Sequence, residues 1–272
     1  MNRMHARLLV IPGALLIVLL LLVPILQIVT PTLIHTNLYI DFLTNKYNQG
    51  VILRTLLISI ITTAITVILG IPLSLWISRQ SQFRKQLLLL VILFPTLTNA
   101  VVRNFAWIII LGKNGVLNVF LQNLHLIKAP LSILYTDTAI ILGSVYLFLP
   151  IMVTTLAGSA SSLDIEIEEA AAVLGANTWH ILFRIIIPQL KIGILTGAIL
   201  VFAGTMTAYT TPQLLGGNQH LMMSTLIYQQ AMTLGDWNQA SVVAIILIVL
   251  ALIIIGGLQL IVKKLERSQK HA

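Results

Sequence analysis

The chain has 272 residues, of which 58% are apolar and only 9% charged, where a soluble domain carries about 25% charge. Sixteen basic and eight acidic residues cannot coat a water-soluble globule of that size, which excludes a cytosolic enzyme, a disordered chain and a coiled coil. An integral membrane protein remains, and the absence of cysteine removes disulfide frameworks, thiolate metal sites, Fe–S clusters and a cysteine nucleophile.

A spanning helix needs about 20 mostly apolar residues. Six stretches reach that length: roughly 8–30, 53–78, 87–112, 137–157, 192–213 and 242–262. In lipid only a helix satisfies their backbone groups, so an all-α fold with six transmembrane helices is expected. The first stretch follows Arg3 and Arg7, as a signal peptide would. Its apolar run is too long and no small-x-small site follows, so it reads as an uncleaved anchor. If the N-terminus is cytoplasmic, the inside segments hold Arg3, Arg7, Arg79, Arg84, Lys85, Arg184, Lys191, Lys263, Lys264, Arg267 and Lys270. The outside segments hold only Lys46, Arg54, Lys113 and Lys128. The positive-inside rule then predicts both termini in the cytoplasm. The basic surplus is a topology signal, so membrane lipid is the expected surrounding and nucleic acid is not a partner. Three regions follow: 1–52 as anchor helix and first outer loop, 53–262 as the core, and 263–272 as a basic cytoplasmic tail.

The outer loops, roughly 31–52, 113–136 and 214–241, are too small for separate domains and carry turn residues such as Pro31, Gly112, Gly115 and Gly216-Gly217. Residues 111–118 read as a turn followed by a short interfacial helix. Trp107, Tyr135, Tyr209 and Trp237 fall near the outer boundary, as an aromatic belt does. Arg103 is the one clear ionisable residue inside a span; it lines a path or vestibule, or it snorkels or pairs helices. Arg54 and Asp137 sit near outer span ends and read as snorkelling. Thr205, Thr207, Tyr209, Thr210 and Thr211 put a polar stripe on the fifth span, which bonds either a polar solute or neighbouring backbone. Gly193-x-x-x-Gly197 permits close helix packing in that span.

The inside loop 158–191 holds four of the eight acids: Asp164, Glu166, Glu168 and Glu169. Ser161-Ser-Leu-Asp164 fits a capping box. A helix follows, with Leu163, Ile167, Ala170, Ala171 and Leu174 as its apolar stripe, and Gly175 ends it as a left-handed C′ residue. Asn177 or Thr178 caps a second short helix with Trp179, Leu182, Phe183 and Ile186 on its apolar face, and Pro188 punctuates the start of the next span. The stripe either packs under the protein's own helices or docks on a partner.

Glu169-Ala170-Ala171, three residues, Gly175, nine residues, then Ile185-x-x-Pro188 resembles the EAA loop of bacterial ABC-transporter permeases. Ile187 stands where that family usually has leucine. Val102-Arg-Asn-Phe-Ala-Trp107, Leu111-Gly-Lys-Asn-Gly115, Tyr209-Thr-Thr-Pro-Gln-Leu-Leu-Gly-Gly217 and Gly235-Asp-Trp237 resemble the spermidine/putrescine-type branch, which also includes permeases for phosphonates and other small solutes. The resemblance covers about 50–262 and implies a type I importer permease fold. It further implies a coupling loop that sits in a cleft of a separate ATPase subunit, with Glu169, Ala170, Ala171 and Gly175 as the coupling residues and Ile185 and Pro188 closing the motif. A second permease, homologous or identical, and an extracytoplasmic solute-binding protein are implied as partners.

No GxxxxGK[ST] loop occurs in the chain, so ATP and Mg are expected on the partner and no cofactor here. No HExxH, G-x-S-x-G or metal-like cluster occurs either, so neither a catalytic residue nor a metal site is expected. Arg103 and Thr207, Tyr209, Thr210 and Thr211 stand as candidates for the substrate path, Arg103 as shared machinery. A secondary transporter or channel not driven by ATP is the competing reading; it would show internal repeats, broken helices and midplane charges. The cargo is left open between polyamine-like solutes, phosphonates and other small polar solutes.

Overall fold

In the computed structural model, which describes residues 3–34 and 36–270, the chain is helical with no strand among the described residues. The side chains of Arg3, Arg7, Arg267 and Lys270, which enter the charge count, lie outside the described set. Packing divides the chain into two units: Met1–Gly50 with Leu226–Val249, and Val51–Thr225 with Leu250–Ala272.

The first unit opens with α1 (Arg3–Ile34), whose apolar stretch Leu15–Thr30 falls in the predicted anchor, and α2 (Asn37–Thr44). The Tyr39 hydroxyl donates to Thr32 Oγ1 at 2.7 Å and ties α2 to the end of α1.

Five helical stretches among the described residues are long and apolar enough to cross a membrane: Lys46–Ser78, Ala100–Asn123, Asp137–Ala160, Thr178–Thr207 and Trp237–Leu265. The first is α3 (Lys46–Ser78). Its face of Thr55, Ser59, Thr62, Thr66, Gly70 and Ser74 is buried; the small side chains let a neighbour approach closely, and Thr55, Ser59, Thr66 and Ser74 return their hydroxyls to the backbone.

The predicted span 87–112 is not one helix. It is broken into α4 (Gln82–Leu97) and α5 (Ala100–Leu111). Pro95 cannot donate to the preceding turn, Thr98 is extended, and the Asn99 side chain accepts from Val101 N at 2.8 Å and Val102 N at 3.3 Å, which starts a new helix. After a turn comes α6 (Val116–Asn123), the short helix expected there. Asn118 is fully buried under it and bonds Gly112 and Leu131, which folds the outer loop back on itself.

The second unit is built around α7 (Asp137–Ala160), the most buried of the spans. Ile140, Met152 and Leu156 along it anchor successive apolar clusters with Ile58, Val201 and Met222. Its inner end, Ala160, packs with Leu75, Ile186 and Leu190.

The loop expected inside begins with α8 (Ile165–Val173). Its cap is Asp164, not Ser161: Ser161 keeps helical angles and closes α7, while Asp164 is extended and accepts from Glu166 N at 3.0 Å. The expected second short helix is also different. α9 (Thr178–Ile181), capped by Asn177 as expected, runs through a π-turn at Leu182–Ile186 into α10 (Ile187–Thr207) without a break. Pro188 therefore sits inside a continuous helix. It offers no N–H to the turn below, and the π-turn absorbs that loss by shifting Ile187 N–H onto Leu182 O.

The fifth predicted span, 192–213, ends early, at Thr207. Ala208 is extended, and α11 (Thr210–Leu215) starts anew behind Tyr209. Ser224 Oγ donates to the freed Ala208 carbonyl at 2.5 Å. α12 (Met223–Tyr228), a second π-turn at Gln229–Thr233 and α13 (Trp237–Lys270) complete the chain.

Candidate functional site

The loop between α7 and α10 has a packed root and an open tip. At the root, Leu163, Ile181 and Leu182 lie against Leu75, Ala160, Ile186 and Leu190. At the tip, Val173 and Leu174 are each 88% exposed, Trp179 is 69% and Phe183 59% exposed. Trp179 and Phe183 stack with ring centroids 5.9 Å apart and planes 16° apart. The predicted stripe is divided: Leu163 packs at the root and Ala171 is half-buried, while Ile167, Ala170 and Leu174 face outward; Glu168 is the other half-buried position among the described residues of α8.

The turn at the tip follows from local chemistry. Gly175 has φ +86°, the left-handed region open to glycine. Gly175 N donates to Ala172 O at 3.0 Å and Ala176 N to Ala171 O at 3.1 Å. This paired pattern satisfies the last carbonyls of α8 and reverses the chain toward α9. Of the motif residues, Glu169, Ala170, Gly175 and Pro188 are exposed, and Ala171 and Ile185 are half-buried. Glu166, Glu169, Ala170 and Val173 recur at helical spacing on one open face. The acids are not equivalent: Glu168 is in an ion pair with Arg79, just past the end of α3, while Glu166 and Glu169 are exposed.

Arg103 is buried on α5. Its Nη1 donates to Pro95 O at 2.8 Å and Thr98 O at 3.2 Å, the carbonyls that the break leaves at the end of α4. A cation there also suits the helix dipole. The geometry displays helix pairing, and Arg103 also lines a groove. Beside it lies a groove of about 560 Å³ walled by Phe94, Thr98, Val102, Trp107 and Tyr146. The Trp107 and Tyr146 rings meet edge to face at 5.6 Å. Replacing Arg103 with glutamine takes the donor from Thr98 O, while Pro95 O keeps the Thr98 hydroxyl, and is expected to lower the stability of the purified chain by about 1–3 kcal/mol. A thermal melt in detergent checks this.

The threonine stripe is not one surface. Thr205 and Thr207 hydroxyls donate to Val201 O and Ala203 O at 2.8 and 2.9 Å. Thr211 is buried with its methyl against Gly143, Thr210 is half-buried, and Tyr209 stands at the helix break. None of Thr207, Tyr209, Thr210 or Thr211 walls the groove beside Arg103.

At the outer end, Arg54 and Asp137 do not snorkel independently. Arg54 Nε lies 3.1 Å from Asp137 Oδ1 without the N–H alignment of a hydrogen bond, and His220 Nδ1 lies 2.7 Å from the same oxygen. Arg54 Nη1 reaches Leu221 O at 3.4 Å. Three distant segments meet there, on a carboxylate that also occupies the first turn of α7. His220 and the buried Asn104 and Ser144 were not singled out from the sequence. No group of His, Asp or Glu suited to a metal ion occurs among the described residues.

A family model described as binding-protein-dependent transport system inner membrane component matches residues 8–268. The spermidine/putrescine transport system permease protein PotB of Haemophilus influenzae is 34% identical over 221 residues, which cover 81% of this chain and 76% of that protein. PotB of Escherichia coli is 34% identical over 212 residues, 78% of this chain and 75% of that protein. The molybdenum transport system permease protein ModB of Mycobacterium tuberculosis is 27% identical over 218 residues, 79% of this chain and 80% of that protein. Among solved structures, a chain of a bacterial alginate ABC transporter, in complex with an alginate pentasaccharide-bound periplasmic protein, superposes with a TM-score of 0.77. It covers 94% of this chain and 92% of that one at 17% identity, a likeness of fold. The chain belongs to the inner membrane components of binding-protein-dependent transport systems and is a permease subunit of an ABC importer.

Proposed function

We propose that the α8–Gly175–α9 finger is the coupling element of this permease and seats in a cleft of a separate ATPase subunit. The observation that carries this reading is the exposed apolar tip. Burying a Val, Leu or Phe side chain is worth about 1.5–3 kcal/mol, so a cluster of four in cytoplasmic water is a surface made to be covered. Glu169 on the same open face accepts charge-assisted hydrogen bonds from a basic rim, and the small Ala170 admits close approach. Ile185 and Pro188 lie on the helix that joins the finger to the membrane. The chain crosses the membrane six times with both termini inside, α1 supplying the sixth pass. A second permease completes the path, ATP and Mg bind the ATPase, and an extracytoplasmic binding protein delivers a small polar solute.

Identity to PotB at 34% favours a polyamine-like cargo. Among the described acids, Asp137 at the outer end is already engaged by Arg54 and His220. Asp41 and Asp236 are exposed in the segments expected outside, but no described acid lies deep in a span, so a cationic solute on the path would take further carboxylates from the second permease or the binding protein. The test is reconstitution in proteoliposomes. Uptake is expected only with ATP and a binding protein present, and Glu169→Lys is expected to reduce the co-purifying ATPase while leaving membrane insertion intact. Uptake driven by an ion gradient alone, or wild-type ATPase recovery with the variant, overturns the reading.

A further inference from the structure

α8 is held unusually loosely for the part of the protein on which a partner would push. None of its described residues is buried, and its main packing partner is the short α9. A cleft of about 410 Å³ separates it from the body, with Leu75 of α3 and Arg79, the first residue past its end, on one side and Glu168, Glu169 and Ala172 on the other. One bond crosses that cleft: Arg79 Nη2 to Glu168 Oε2. Among the described residues it is the only side-chain polar link between α8 and another helix. The Glu168 side chain is 14% exposed and that of Arg79 47%, so the carboxylate is the partner taken from water and the one that requires the cation.

An ion pair whose cation stays half in water is a weak source of stability. A role in holding the fold together is therefore a poor account of this one. Its position suggests a different task. The covalent route from the finger to the membrane runs through α9 and the π-turn into α10. With that route alone, a push on the tip lets α8 swing across the open cleft. A bond to the end of α3 removes that freedom.

We propose that Arg79 is a positioning residue for energy coupling: with Glu168 it forms a strut that carries displacement of α8 directly into α3, so that α3 and α10 move together. The inference rests on the docking of α8 proposed above.

A chain without cysteine makes the test direct. Gln80→Cys at the end of α3 and Val173→Cys at the tip of α8 carry a pair of spin labels. The complex is purified with its ATPase, placed in nanodiscs, and compared nucleotide-free and trapped with ATP and vanadate. In the otherwise wild-type chain the label-to-label distance is expected to be unchanged by trapping. In Arg79→Gln, in Arg79→Glu and in Glu168→Arg it is expected to shift on trapping by more than the width of its distribution. In the Arg79→Glu, Glu168→Arg double variant it is expected to be constant again. Arg79→Gln indistinguishable from wild type in an assembled complex overturns the strut and leaves docking standing, as does a charge swap that fails to restore the constant distance. A wild-type chain that brings no ATPase through purification overturns the docking reading itself, and the strut with it.

Discussion

Gly175→Val is expected to strip most of the ATPase from the purified permease while the chain still inserts in the membrane at its normal level. A Cβ added at Gly175 meets no atom within 4 Å, so crowding is not the cause. The cause is the φ of +86°. An L-residue forced into the left-handed region costs about 1–2 kcal/mol, and a β-branched one is the worst case. That cost shifts the turn's equilibrium by about 5–30-fold, because each kcal/mol is a large factor at this scale. The two hydrogen bonds that Gly175 and Ala176 make to the end of α8 are then lost together, and the tip loses its fixed turn. Gly175→Asn, which visits left-handed φ more readily, is expected to retain more ATPase than Gly175→Val. Quantifying the ATPase band per permease after purification measures both, and equal recovery for glycine, asparagine and valine would refute the conformational argument.

The largest expected loss of stability lies elsewhere, on the seam between α7 and α10. A Cβ on Gly193 falls 2.4 Å from Ser159 Oγ and 2.8 Å from Ser159 Cβ. The hydroxyl can rotate away, but the Cβ is fixed to the α7 backbone, so the two helices must separate. A Cβ on Gly197 falls 2.7 Å from Met152 Sδ, the flexible part of a long side chain. Overpacking costs about 1–3 kcal/mol. Gly193→Ala is therefore expected near the upper end and Gly197→Ala near the lower, although the sequence change is the same. Thermal unfolding in detergent, followed by loss of the monodisperse species, ranks the two, and the reverse order would show that α7 yields more easily than its backbone contacts indicate.

The readable parts of this protein were those set by near neighbours in sequence. Long apolar runs announced the helices, Gly175 its left-handed turn, Asn177 its cap, and Gly193-x-x-x-Gly197 the close seam. Hydropathy failed at Thr98-Asn99 because the apolar run continues on both sides of a break that only Pro95 and one capping amide create. It failed at Ala208 as well, where no capping side chain marks the start of the new helix, so a stripe of threonines that looks continuous on a helical wheel is divided between two helices. The Arg54–Asp137–His220 contact joins residues 83 and 167 positions apart or nearly so, and no local pattern announces it. The finger was legible in its outline and its spacing. Which face stays open was not, because the stripe of Ile167, Ala170 and Leu174 has the composition of a buried one. The separation of Glu168 from Glu169, one bound across the cleft and one free to meet a partner, also needed the fold.

The π-turn before Pro188 has a geometric corollary for how such a chain can vary. Each residue advances an α-helix by about 100° around its axis. The widened turn at Leu182–Ile186 stores the phase at which α9 and the tip leave α10. Deleting or inserting a single residue between 175 and 188 would rotate that azimuth by about a quarter turn and aim Trp179 and Phe183 sideways, away from anything below the membrane. Drift in side-chain identity, such as isoleucine for leucine at 187, leaves the bearing intact, whereas an indel there would mispoint a correctly folded arm.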